Sequence, residues 1–126
     1  MNVFRALLII AALFIVYAFA RIVILKTKSS VNLEGLSWRM FWAALKAEIV
    51  LTSYGAELVI TSALDGKHMD GSLHYKGLAI DVRSRDVSGR EPSIARDLRA
   101  ALGSDYDVVI EPDHFHIEYD PKTEIA

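Results

Sequence analysis

Hydrophobic positions fall into two patterns along the chain. Residues 6–20 (ALLIIAALFIVYAFA) are an unbroken apolar run, bracketed by Arg5 and Arg21 and continued by Ile22–Leu25 before Lys26 and Lys28. A helix that is apolar all round needs lipid or a deep core, and a small domain has few places to hide one. Residues 6–25 supply the ~20 residues that span a bilayer, with Arg21 snorkelling to the interface. The same run also fits a secretory signal, with Ala18-Phe19-Ala20 as an A-x-A cleavage site. The apolar Ile22–Leu25 stretch favours an uncleaved anchor, because a mature N-terminus seldom begins with exposed apolar residues. The expected organisation is therefore a hydrophobic helix acting as signal-anchor over 1–28 and one domain over 29–126.

Past a short polar linker the pattern becomes periodic. Trp38, Phe41, Trp42, Leu45, Ile49 and Leu51 recur at mostly helical spacing, which predicts a helix over 34–53 with those residues as its apolar face; Gly55 ends it. β-branched content predicts a strand over 57–63, and a second over 77–83. Between them, residues 64–73 carry two Asp-Gly pairs and read as loop. A polar loop over 83–90 leads to a helix over 92–102, with Pro92 in its first turn and Gly103 after its end. Two more strands, 107–111 and 115–119, flank a turn at Pro112-Asp113. The order α-β-β-α-β-β predicts an α+β domain, a small antiparallel sheet with helices packed on one face.

Composition narrows the function. The chain has 126 residues, 52% hydrophobic and 24% charged, so disorder is excluded as its main state. From Ser29 onward 10 basic side chains face 16 acidic ones, a net of −6, and no basic field invites nucleic acid. There is no cysteine, so disulfides, thiolate nucleophiles and cysteine metal sites drop out together. Any metal must be held by His, Asp or Glu.

All four histidines, His68, His74, His114 and His116, lie within one stretch of 49 residues that also carries Asp81 and Asp113. On a straight strand His74 and Asp81 would stand ~23 Å apart. They can share a metal only if the chain turns between them, and Gly77 is placed for that turn. Asp81 alternates with Ala79 and Arg83 on one strand face, with Leu78, Ile80 and Val82 on the other. A carboxylate in so apolar a strand needs a partner, either a cation such as a metal or Arg83 or Arg85 nearby. Two histidines and one carboxylate suit zinc with an open fourth position for water. Asp113, three residues before His116, can approach such a water without being a ligand, as a general base must.

Ser72-Leu-His74-Tyr-Lys-Gly77-Leu-Ala79-Ile-Asp81 resembles the S-x-H-x-x-G-x-A-x-D motif of D-Ala-D-Ala carboxypeptidase-type zinc peptidases, which share a fold with hedgehog signalling domains. Asp113-His114-Phe115-His116 resembles the family's second motif, an acidic residue three positions before the last zinc-binding His. The resemblance runs from about Leu58 to Tyr119 and is greatest to small phage-encoded or bacterial members that cut peptidoglycan peptides. It implies His74, Asp81 and His116 as Zn2+ ligands and Asp113 as catalytic base. It places His114 beside the metal, where it would steady an oxyanion or serve as a hydrogen-bonding partner. Ser72 and His68 are the candidates for substrate binding. The chain departs from the pattern twice: many members have Glu where Asp113 stands, and many have an upstream Arg where Thr61-Ser62-Ala63 stands here.

The expected function is a zinc metallopeptidase acting on peptidoglycan stem peptides, as a carboxypeptidase or an endolysin-type endopeptidase. It is expected to be a monomer, held at the membrane with the domain on the cell-wall side, or secreted after cleavage near Ala20. Charge counting opposes that topology, since Arg21, Lys26 and Lys28 outnumber Arg5. Two other readings stand beside it. A hedgehog-like zinc-stabilised binding module would have no need of a carboxylate at Asp113. A small membrane-disrupting protein would leave the His/Asp motifs unexplained.

Overall fold

The structure is a computed structural model that describes residues 2–25 and 27–122, with the side chains of 18–25 outside the description. Among the described residues three α-helices, α1 (Val3–Leu25), α2 (Trp38–Ser53) and α3 (Glu91–Leu102), accompany four strands, β1 (Ile60–Ser62), β2 (Ala79–Arg83), β3 (Tyr106–Ile110) and β4 (His114–Tyr119). The strands form one antiparallel sheet in the order β1-β2-β4-β3. The α+β class, the antiparallel sheet and the element order of the domain are as the sequence predicts.

The two faces of the sheet follow from strand parity. Ile80 and Val82 of β2, Phe115 and Ile117 of β4, and Val108 of β3 point one way and are buried. α2 and α3 cover that face with Met40, Ala44, Ala47, Ile94 and Leu98. The residues between them, Asp81 on β2 and His114, His116 and Glu118 on β4, point the other way, into a cleft. Register places Asp81 directly opposite His116.

Several elements are shorter than their patterns suggest. α2 starts at Trp38, because Ser37 caps it by accepting from Arg39 N at 3.3 Å. β1 pairs over only three residues, because its register against β2 is interrupted between Ile60 and Ser62. β2 begins at Ala79, because Gly77 and Leu78 are spent on the turn before it.

The orientation of α2 corrects the sequence reading. Trp38, Trp42 and Ile49 do not enter the core; they are 68%, 49% and 55% exposed. The buried face is Met40, Ala43, Ala44, Ala47 and Leu51. α2 carries apolar residues on both sides, and its alanine side lets the backbone approach the sheet and α3 closely. Periodicity identifies the larger stripe without saying which one packs inward.

The described side chains of α1 stand outside the core. Leu7, Ile10, Leu13 and Val16 are all more than half exposed. Among the described residues no helix is long and apolar enough to cross a membrane. The expected span over 6–25 and the cleavage site at Ala18–Ala20 extend into residues whose side chains lie outside the description.

Phe115 is fully buried between two site residues on β4. Phe115→Ala is expected to lower stability by about 3–5 kcal/mol. Denaturant unfolding with an unchanged slope and a lower midpoint is the check.

Candidate metal centre

Three side chains from three elements meet on the open face of the sheet. His74 lies on a single 3-10 turn, Leu73–Lys76, which Ser72 caps by accepting from His74 N at 3.2 Å. Gly77 ends that turn at φ 69, a left-handed conformation that favours glycine. A Cβ there would lie 2.3 Å from the Gly35 carbonyl oxygen, so the position is closed to any side chain on two counts. The turn folds His74 back over the sheet, as the spacing to Asp81 requires.

His74 Nε2 lies 3.2 Å from Asp81 Oδ1 and 3.2 Å from His116 Nδ1, and His116 Nδ1 lies 2.9 Å from Asp81 Oδ1. Donors bound at about 2.0–2.1 Å around a tetrahedral ion stand about 3.3 Å from one another, so the triangle fits a metal. The other ring nitrogens are held from behind. His74 Nδ1–H donates to the Ala63 carbonyl at 2.7 Å, and His116 Nε2–H donates to Glu118 Oε2 at 2.8 Å. A carbonyl or carboxylate behind a ligating histidine fixes the tautomer and raises the basicity of the facing nitrogen.

His68 is a rival ligand. His68, His74 and Asp81 bring one ligand atom each within 4.8 Å. The His68 and His74 rings are stacked, 3.8 Å apart and within 5° of parallel. A metal lies in the plane of the imidazole that binds it, and two stacked planes share no point. The His74 and His116 rings are tilted by 53°, so their planes do meet. His68 Nε2 is moreover engaged with Asp65 O at 2.8 Å and Ser62 Oγ at 3.2 Å. His68 is therefore a wall for His74, and Ser72 its cap, while both also line the cleft. A second acidic group, Asp107, Glu118 and Asp120, is already answered by Lys122, which bonds Asp107 at 2.9 Å and Asp120 at 3.0 Å.

The centre sits in an open cleft of about 790 Å³ between the 65–73 loop and the β3–β4 hairpin. His114 and Glu111 line it; Asp113 does not. The Asp113 side chain is 86% exposed and accepts from His114 Nδ1 at 2.6 Å. The opposite nitrogen, His114 Nε2, is 3.5 Å from Asp81 Oδ1. The His114 ring thus stands between Asp113 and the ligand triangle. Glu118 and the Ala63 carbonyl join the site without belonging to either sequence motif. Strand parity gives Glu118 away, because it shares the face of His114 and His116. The Ala63 carbonyl carries no signal in the chain.

Burial pushes the Asp81 carboxyl up, but hydrogen bonds from His116 and His74 outweigh it and hold the group well below the usual carboxylate range. The hydrogen bond to Asp81 raises the His116 imidazole from 6.5 to about 9, against burial and with help from Glu118. No family model matches this chain, and no curated protein matches it.

In the metal-free chain a proton on His116 Nδ1 occupies the direction a metal would take. Its stabilising pairing with Asp81 is complete below 6.5 and is lost as pH rises through about 9. Metal affinity runs the other way: it should rise about tenfold per pH unit up to that point and then level, one proton leaving per ion bound. Competition titrations with a chromophoric chelator across this range provide the measurement.

Proposed function

We propose that residues 29–126 form a zinc-dependent peptidase of the D-Ala-D-Ala carboxypeptidase type, with the related hedgehog-like fold, that hydrolyses bonds in peptidoglycan stem peptides. The observation that carries this reading is the convergence of His74 Nε2, Asp81 Oδ1 and His116 Nδ1 within 3.2 Å of one another in an open cleft. A donor set of two imidazoles and one carboxylate suits zinc, leaves the ion a net positive charge and keeps one position for substrate or water. Zinc held there supplies a Lewis acid for the scissile carbonyl and lowers the pKa of a bound water.

The remaining roles belong to the chain. His114 presents Nε2 to the cleft and moves the proton between the attacking water and the leaving amine. Asp113 holds His114 Nδ1–H and so selects the tautomer whose Nε2 is free, the relation an orienting carboxylate has to a base histidine. The open cleft leaves room for a peptide to pass across the centre, which suits an endopeptidase as well as a carboxypeptidase. The exposed position of Asp113 also favours a second reading, a metal-stabilised binding module without turnover.

Digestion of purified peptidoglycan by the zinc-loaded full-length protein, followed by mass analysis, is expected to release peptide fragments. Asp113→Ala and His114→Ala should each keep metal and fold and lose about 10²–10⁴-fold in rate. Loss in Asp113→Ala alone would make Asp113 itself the base. Unchanged muropeptides with zinc-loaded protein would leave the binding module as the better reading.

The exposed apolar surface of α1 belongs to this reading as a membrane anchor that presents the domain to the cell wall. Cleavage near Ala20 would release the domain instead. Fractionation with protease protection is expected to find full-length protein in membranes with its domain accessible from the cell-wall side. A domain shielded on the cytoplasmic side would overturn that topology.

A further inference from the structure

α2 has two apolar faces and only one of them is used. Met40, Ala43, Ala44, Ala47 and Leu51 face the core, while Trp38, Trp42 and Ile49 line the opposite side of the helix, about 180° away at 100° per residue. A stripe of two tryptophans and an isoleucine, each about half exposed or more, is unusual on a domain this small. α1 approaches α2 and leaves these three open.

We propose that this stripe is a second membrane contact: the domain lies on a bilayer surface through α2. The inference rests on the anchor reading of α1. Three observations choose a bilayer as the occupant. First, Arg39 and Lys46 run along one edge of the stripe, the guanidinium 4.7 Å from the Trp38 ring centre and the ammonium 5.7 Å from that of Trp42. Tryptophan paired with a cation is the chemistry of the headgroup layer, where the ring is half in hydrocarbon and the charge meets lipid phosphate. Second, the tether is short and fastened. Lys28 N donates to Ile60 O at 3.0 Å and Asn32 N to Asp65 Oδ1 at 2.9 Å, so the chain leaving α1 is held against the domain. Third, the faces are compatible. α2 lies behind the sheet and the metal centre in front of it, so a bilayer under α2 leaves the cleft open and facing directly away from the lipid.

The chain supplies its own reporters, since its two tryptophans are Trp38 and Trp42. Full-length protein is reconstituted into phosphatidylglycerol–phosphatidylcholine vesicles with and without brominated acyl chains. Flotation reads anchoring by α1, and tryptophan emission reads α2 alone. The expected result is flotation, a blue-shifted emission, and loss of most of that emission in brominated lipid. Ile49→Asp should still float through α1 while regaining water-like, unquenched emission. Flotation with water-like, unquenched emission in the unaltered protein would overturn the second contact and leave the anchor standing. A blue-shifted emission that bromine does not quench would overturn it in favour of a second copy of the chain. Failure to float would overturn the anchor and the second contact together.

Discussion

A carboxylate buried at the centre of a small sheet must be answered by donors or by a cation, and Asp81 is answered by two imidazoles, with a third close by. His74, His116 and His114 come within 3.2, 2.9 and 3.5 Å of its Oδ1 oxygen. Each is delivered by a different device: a 3-10 turn closed by a glycine, a strand partner in direct register, and a hairpin shoulder. Without His74 and His116 Asp81 would be a buried, unpaired charge, and the sheet would be hard to keep in this register. The demand of one side chain thus organises the front of the domain, as the burial of Phe115 and Ile80 organises the back.

The two demands are compatible because strand parity separates them. On β4 the sequence His114-Phe115-His116-Ile117-Glu118 alternates site and core residue by residue. A slip of one position would put histidines into the core and Phe115 into the cleft. The hydrophobic core therefore locks the register that aligns His116 with Asp81, and the site inherits its geometry from packing on the far side.

Much of this was legible in the chain. Element order, sheet type, the turn at Gly77 and the parity of Asp81 follow from local patterns, and the structure has each of them. What escaped involves choices that local patterns leave degenerate. α2 offers two apolar stripes, and only the small alanine side chains of one allow close packing. The 3-10 turn of Leu73–Lys76 is set by Ser72 and by the approach of Gly77 to Gly35, a contact between residues 42 positions apart with no periodic signature. The Ala63 carbonyl behind His74 is backbone, and the placing of Asp113 outside the cleft depends on where the hairpin directs its shoulder.

The sheet is small, and its borders matter as much as its faces. A strand at the border of a sheet exposes unpaired amides that invite another chain to add on. Here each border is partly occupied. On the β1 side, Thr27 bridges Ile60 in parallel and Lys28 takes the Ile60 carbonyl, so the linker behaves as a stub of a fifth strand. On the β3 side, the Arg99 guanidinium reaches from α3 to the Val108 carbonyl at 2.7 Å. The segment that leashes the domain to α1 is thereby also a guard against edge-to-edge aggregation. A domain trimmed back past Lys28 would lose its tether and its protection in the same cut.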